Sequence, residues 1–126
     1  MPLDSRTEEQ LLNLPRVSRE TVNALMIFEA LLLKWQSRIN LVADTQDLWQ
    51  RHILDSLQLL QFLPSPHHSI ADIGTGGGFP GLMLAIAGCT AVHLVESDRR
   101  KAAFLREAAT HLNLPITLHT SRVEQL

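Results

Sequence analysis

The first half of the chain has the hydrophobic periodicity of amphipathic helices. Ser5 is positioned to cap a short helix that ends near Leu14, and Ser18 is positioned to cap a longer one. In the longer helix, steps of three and four residues produce one stripe with apolar neighbours beside it: Val22, Leu25, Met26, Glu29, Leu32, Leu33 and Gln36, flanked by Phe28, Leu31 and Trp35. A third helix is predicted to begin at Asp47. The pattern therefore predicts a helical cap over residues 1–66.

The second half of the chain alternates short apolar runs with helical patterns, after a polar, proline-rich connector. Strands are predicted at residues 70–73, 92–96 and 116–119, and helices at residues 82–87 and 99–112. Because crossovers of this kind are right-handed, these elements predict a parallel β-α-β-α-β sheet. The predicted fold class is therefore α/β, with the sheet domain over residues 67–126.

Composition narrows the classes of function. The chain has 126 residues and a formal net charge of -2, which excludes binding to nucleic acid through overall charge but leaves local basic patches open. One such patch is a basic helical face formed by Arg99, Arg100, Lys101 and Arg106. No apolar run approaches the ~18 residues of a membrane span. The single cysteine, Cys89, favours a cytoplasmic location. No metal site is predicted, because His67 and His68 lack further ligands at suitable spacing.

A glycine-rich loop between the first predicted strand and its helix carries the candidate chemistry. Gly74, Gly76 and Gly78 form a G-x-G-x-G run after Asp72, and glycines there let the backbone turn sharply and approach a ligand. A dinucleotide fingerprint, G-x-G-x-x-G, would need its third glycine at position 79, where Phe79 stands. The tighter spacing favours S-adenosylmethionine, which has no pyrophosphate. The sheet domain is thus predicted to be the first half of an S-adenosylmethionine-binding, Rossmann-like domain.

Glu96 supports this interpretation of the loop. It ends the second predicted strand, where a carboxylate can accept hydrogen bonds from both ribose hydroxyls of a nucleoside. Asp98, two residues later, is predicted to cap the following helix rather than to bind the ligand.

Four segments together resemble one known family. They are residues 40–42 (Asn-Leu-Val), 51–57 (Arg-His-Ile-Leu-Asp-Ser-Leu), 72–82, which contain the glycine loop, and 121–124 (Ser-Arg-Val-Glu). This combination is similar to the glucose-inhibited division protein B family, the bacterial small-subunit (16S) ribosomal RNA guanine-N7 methyltransferases. The resemblance implies a Rossmann-like class I methyltransferase with S-adenosyl-L-methionine as its cofactor. It also implies small-subunit ribosomal RNA, or a ribosomal particle, as the partner.

The resemblance further implies roles for single residues of the cofactor site. Gly74 and Phe79 would lie at the methionine end of the cofactor, and Glu96 would hold the ribose. Val123 and Glu124, after the third strand, would contact the adenine.

On the substrate side, the resemblance makes Arg51 and His52 candidates for the RNA-facing edge. No catalytic residue is assigned, because N7 of guanine has no proton to remove and needs no general base. The family's sheet continues past the third strand, so this chain is expected to be an incomplete version of the enzyme. The outer edge of its first strand would then be uncovered and available for self-association.

Several alternatives stay open at this point. The chain could instead be a non-catalytic cofactor-binding or interaction fragment, or, against the glycine spacing, a dinucleotide-dependent oxidoreductase. His52, Asp55 and Ser56 contain the residue types of a hydrolase triad, although no oxyanion hole accompanies them. Arg51 can also pair with Asp55 along a helix, and Arg51 and His52 can serve only to join the cap to the sheet.

Overall fold

Two regular helices and one irregular helical segment precede the sheet. The structure, a computed structural model, describes residues 3–125, without the side chain of Val123. Helix α1 spans Ser5–Leu12 and helix α2 spans Arg19–Gln36. The third segment consists of π-helical turns over Leu48–Leu54, helix α3 over Asp55–Leu57 and 3-10 turns over Gln58–Phe62. The helix predicted from Asp47 is therefore present, but it is irregular.

Short polar side chains determine where the first two helices begin. Ser18 caps α2 as predicted, and its hydroxyl accepts a hydrogen bond from Thr21 N at 3.2 Å. The prediction that Ser5 caps α1 was wrong. Asp4 is the cap, and its carboxylate accepts from Thr7 N at 2.7 Å, so Ser5 becomes the first residue inside the helix.

The buried face of α2 is centred on Phe28, not on the stripe that the sequence predicted. Its fully buried apolar members are Val22, Leu25, Phe28 and Leu32. Met26 and Leu33, which belong to the predicted stripe, are 48% and 41% exposed. Phe28 packs against the rings of Phe79 and Phe104, with centroid distances of 5.8 and 5.9 Å. These contacts with the second half of the chain set the rotation of the helix.

The three strands form one parallel sheet in the order β1-β2-β3. Strands β1, β2 and β3 span Ile70–Ile73, Val92–Val95 and Ile116–His119. Helix α4 spans Gly81–Ile86 between the first two strands, and α5 spans Arg99–His111 between the last two. The predicted α/β class and β-α-β-α-β order are confirmed, with element boundaries that differ by one residue at most.

The helices of both halves share one face of the sheet. Right-handed crossovers that proceed in one direction place α4 and α5 on the same side, and α2 packs against both. One buried apolar cluster therefore continues from the cap to the sheet. On the opposite face, Ala71, Ile73 and Thr117 are exposed. No helix among the described residues combines the length and apolar character that crossing a membrane requires.

Candidate active site

The glycine loop leaves the end of β1 through backbone conformations that favour glycine. Gly74, Gly76 and Gly78 have φ values of 70°, 58° and 100°. A Cβ on Gly78 would lie 2.8 Å from Cβ of Leu82, which is far closer than side chains pack, whereas one on Gly76 would meet nothing nearer than 4.0 Å. Gly78 is therefore required by both conformation and packing, and Gly76 by conformation alone.

Asp72 ties both ends of the loop to β1. Its Oδ2 accepts hydrogen bonds from the hydroxyl of Thr75 at 2.7 Å and from Gly81 N at 2.8 Å. Thr75 is buried at the start of the loop, and Gly81 is the first residue of α4. One carboxylate oxygen thus holds the loop closed over eight positions without any ligand.

Glu96 fixes the middle of the same loop from the neighbouring strand. Its side chain is buried, with 7% of the residue exposed. Oε1 accepts from Gly76 N at 2.8 Å, and Oε2 accepts from Asp98 N at 2.9 Å. Each oxygen of an ionised carboxylate has a second lone pair, so two acceptor positions are left for the hydroxyl groups of a ligand.

A groove of about 270 Å³ joins the carboxyl ends of the three strands. It is lined by Ile73, Gly74, Val95, Ser97, Ser121, Arg122 and Glu124. Ligands of open α/β sheets bind at this end of the strands. Of the residues predicted to bind the cofactor, Gly74 and Glu124 line the groove, and Glu96 lies between two of its lining residues. The side chain of Val123 lies outside the described part of the chain.

The groove includes residues that the sequence analysis did not select. Ser97 and Ser121 add hydroxyl groups, and Arg122 adds a cation. The signal that could have found them is positional, because all three directly follow the ends of β2 and β3, where such sites form.

A second, larger cleft of about 470 Å³ lies at the other end of the loop. The third helical segment and the loop line it together, through Arg51, His52, Asp55, Ser56, Gln58, Leu59, Gln61, Phe62, Phe79 and Pro80. The rings of His52 and Phe79 are 5.2 Å apart and tilted by 38°. The structure therefore brings both substrate-side candidates to Phe79, whereas Phe79 does not line the groove beside Gly74.

The hydrogen bonds of the second cleft do not favour a hydrolase. Ser56 donates its hydroxyl to the backbone oxygen of His52 at 2.6 Å, so the hydroxyl is not directed at the imidazole ring. Arg51 pairs with Asp47 at 3.6 Å, not with Asp55 as the sequence suggested. Asp47 lies one turn earlier on the segment and, like Asp55, four residues away, so spacing alone did not distinguish them.

Asp98 caps α5, as the sequence predicted, and accepts from the backbone of Arg100 and Lys101 at 2.9 and 3.1 Å. The hydrogen bond from Lys101 N is the main cause that lowers the pKa of this carboxyl below its usual range. The bond from Arg100 N and the two neighbouring cationic side chains act in the same direction, and partial desolvation opposes them.

Comparisons with known proteins agree with this geometry. The family profile described as rRNA small subunit methyltransferase G matches residues 21–126. The curated protein named "Ribosomal RNA small subunit methyltransferase G" from Rhodospirillum rubrum is 58% identical over 112 residues, which are 87% of this chain and 56% of that protein. Proteins of the same name from Paramagnetospirillum magneticum and Brucella anthropi are 52% and 46% identical. Those alignments cover 94% and 100% of this chain and 58% and 62% of the two relatives.

The chain thus spans 56–62% of the length of these three curated relatives. The family profile covers the glycine loop, Glu96, both clefts and the sheet, and the resemblance noted in the sequence is confirmed. On this evidence of sequence and geometry together, the chain belongs to the rRNA small subunit methyltransferase G family.

Proposed function

We propose that this chain provides the cofactor-binding part of an S-adenosylmethionine-dependent methyltransferase that acts on N7 of a guanine in small-subunit ribosomal RNA. The observation that carries the proposal is the groove at the carboxyl ends of three parallel strands, bordered by the G-x-G-x-G loop. A cytoplasmic site of action follows, because the ribosomal RNA named by the relatives is found there. The division of the chain near residue 66 stays a prediction.

The residues around the groove fit S-adenosylmethionine. Glu96 has free acceptor positions for the ribose hydroxyls, and Glu124 and the neighbouring Val123 would contact the adenine. A Cβ on Gly74 would meet no atom within 4 Å, so the space in front of this end of the loop is open to a ligand. When bound, the cofactor supplies an electrophilic methyl group on a sulfonium. The chain's own contribution is to bind and orient the nucleoside part.

The cleft at Phe79 suits the substrate side of the proposed reaction. His52 and Phe79 provide aromatic surfaces on which an unstacked RNA base can lie. Arg51, with a side chain 72% exposed, can donate hydrogen bonds to phosphate or to the acceptor edge of guanine. Because N7 already presents a lone pair, these residues need to align the base and to stabilise charge, and they remove no proton.

Calorimetric titration of S-adenosylmethionine into the purified chain tests the cofactor assignment, with NADH as the comparison ligand. We expect saturable binding of S-adenosylmethionine and its loss in Gly76→Val. Gly88→Val is the matched control, because Gly88 also has a positive φ, 105°, and open space, but lies at the end of α4 away from the groove. Preference for NADH would favour an oxidoreductase, and no binding by a folded sample would favour an interaction fragment.

Transfer of a labelled methyl group to small-subunit particles tests the proposed activity separately. Label should appear in the RNA at N7 of guanine and depend on Arg51 and His52. Binding of the cofactor without any transfer would mean that this chain keeps the cofactor site but not the enzyme's activity. That outcome would support the alternative of a non-catalytic cofactor-binding fragment.

We also propose that the chain self-associates through the outer edge of β1. Among the described residues β1 pairs only with β2, so its other edge presents unpaired backbone N–H and C=O groups. Sedimentation should show a concentration-dependent dimer that weakens in Ala71→Lys, which puts a charge on the exposed face of this strand. Thr110→Lys, at an exposed position of α5, should leave it unchanged. A monomer at all concentrations would contradict the proposal.

A further inference from the structure

Three consecutive cations occupy the first turn of α5. Arg99, Arg100 and Lys101 stand where the positive end of the helix dipole disfavours positive charge. Asp98 already accepts hydrogen bonds from the free backbone N–H groups of this turn, so the helix end itself is satisfied by the chain. The three cations therefore do not serve the stability of the helix, and another role must account for them.

The end of α2 brings two more cations to the same surface. Arg100 donates from Nη2 to the backbone oxygen of Arg38 at 2.9 Å, which fixes the start of α5 against the residues that follow α2. Lys34 and Arg38 border a shallow hollow together with Trp35 and Glu107. We call Lys34, Arg38, Arg99, Arg100 and Lys101 the α2–α5 patch.

The charge of the α2–α5 patch is largely uncompensated. Within residues 3–125, the ion pairs are Arg19 with Glu8 and Arg51 with Asp47, and neither involves the patch. The acidic side chains beside it are Asp98, which caps α5, and Glu107, which accepts from the indole N–H of Trp35. Five cations against two carboxylates leave a local positive charge on a chain whose net charge is -2.

The α2–α5 patch is also joined to the glycine loop. Gln36 holds residues 41 and 42 by accepting from Leu41 N at 3.0 Å and donating to Val42 O at 2.7 Å. The backbone oxygen of Leu41 in turn lies 3.2 Å from the Cβ position of Gly77. A polyanion held on the patch is therefore fixed in position relative to the candidate cofactor site.

We propose that the α2–α5 patch binds phosphate groups of the RNA substrate. This inference rests on the proposed function, which supplies RNA as the partner. Arginine guanidinium groups match the geometry of phosphate oxygens through paired hydrogen bonds, and three of the five cations are arginines. Contacts of this kind position the RNA backbone without reading its sequence, and the base is left to the cleft at Phe79.

The test measures binding of a fluorescent small-subunit RNA fragment to the 126-residue chain over a range of salt concentrations. The variant is Arg38→Gln with Arg99→Gln, and the matched control is Arg6→Gln with Arg106→Gln, two exposed arginines outside the patch. We expect the patch variant to lose about tenfold in affinity at low salt and to reduce the slope of log K against log salt by about 1 to 2. Binding of S-adenosylmethionine and the melting temperature should be retained.

Three results would overturn the inference. RNA binding could be unchanged in the patch variant, or reduced equally in the control, or matched by binding of polyglutamate, which would indicate an acidic protein partner. Wild-type chain that binds no RNA would also overturn it. In each case the titration with S-adenosylmethionine decides independently whether the proposed cofactor site stands, so the two failures are distinguishable.

Discussion

Glu96→Gln is expected to weaken the fold itself, before any ligand is added. The wild-type carboxylate accepts one hydrogen bond through each oxygen, from Gly76 N at 2.8 Å and from Asp98 N at 2.9 Å. A glutamine has only one acceptor oxygen, so one of these N–H groups must face an amide NH2. Leaving a buried donor unpaired costs about 1–3 kcal/mol, and the surviving bond also loses its charge assistance. We therefore expect the free energy of unfolding to fall by about 2–3 kcal/mol.

Glu124→Gln is the matched control, because Glu124 lines the groove but is exposed. Its unfolding free energy should stay within about 0.5 kcal/mol of wild type, as for most surface substitutions. Both variants should bind S-adenosylmethionine more weakly. The comparison thus separates the contribution of Glu96 to the loop from its contribution to the ligand.

Urea denaturation without ligand, followed by circular dichroism and by tryptophan fluorescence, gives the two free energies. The same slope with respect to urea in wild type and variants would show that the extent of unfolding is unchanged. If Glu96→Gln were as stable as Glu124→Gln, the carboxylate would not be holding the glycine loop. The preorganised site described here would then be wrong.

Three further predictions concern the loop, the start of α5 and the buried thiol. Gly78→Ala should destabilise the chain by about 2–4 kcal/mol because of the contact with Leu82, but Gly76→Ala by only about 1–2 kcal/mol of backbone strain, as measured by urea denaturation. Since the pKa of Asp98 is lowered in the folded state, its contribution is full above about pH 4 and is lost as the pH falls through the folded value; acid titration of stability should therefore be shallower in Asp98→Asn. Burial raises the pKa of the Cys89 thiol, so Ellman's reagent should react slowly with the native chain at pH 8 and rapidly in urea.

The elements that the sequence predicted well are those determined by local chemistry. The Ser18 cap, the Asp98 cap and the alternation of strands with helices all depend on residues a few positions apart. The competition between Asp4 and Ser5 for the cap of α1 was also local, but both are good caps and their spacing differs by one residue. Propensity alone does not separate two neighbouring caps.

What the sequence did not predict depends on contacts between distant residues. Glu29 interrupts the apolar stripe of α2, and in the fold its carboxylate accepts from the indole N–H of the buried Trp49 at 2.8 Å. Phe28 turns inward because Phe79 and Phe104 arrive from the other half of the chain. Periodicity gives the existence of such a helix, but its rotation follows from partners that only the tertiary structure identifies.

The glycine loop explains how one short segment can serve both sides of the proposed reaction. Its first residue, Gly74, lines the groove at the strand ends, and its last residues, Phe79 and Pro80, line the cleft with His52. Asp72 and Glu96 fix the loop between these two points through buried carboxylate oxygens. Any displacement of the loop would therefore change the groove and the cleft together. A displacement in which proton removal plays no part depends on such alignment, and this accounts for buried acids that support the loop while no general base is required.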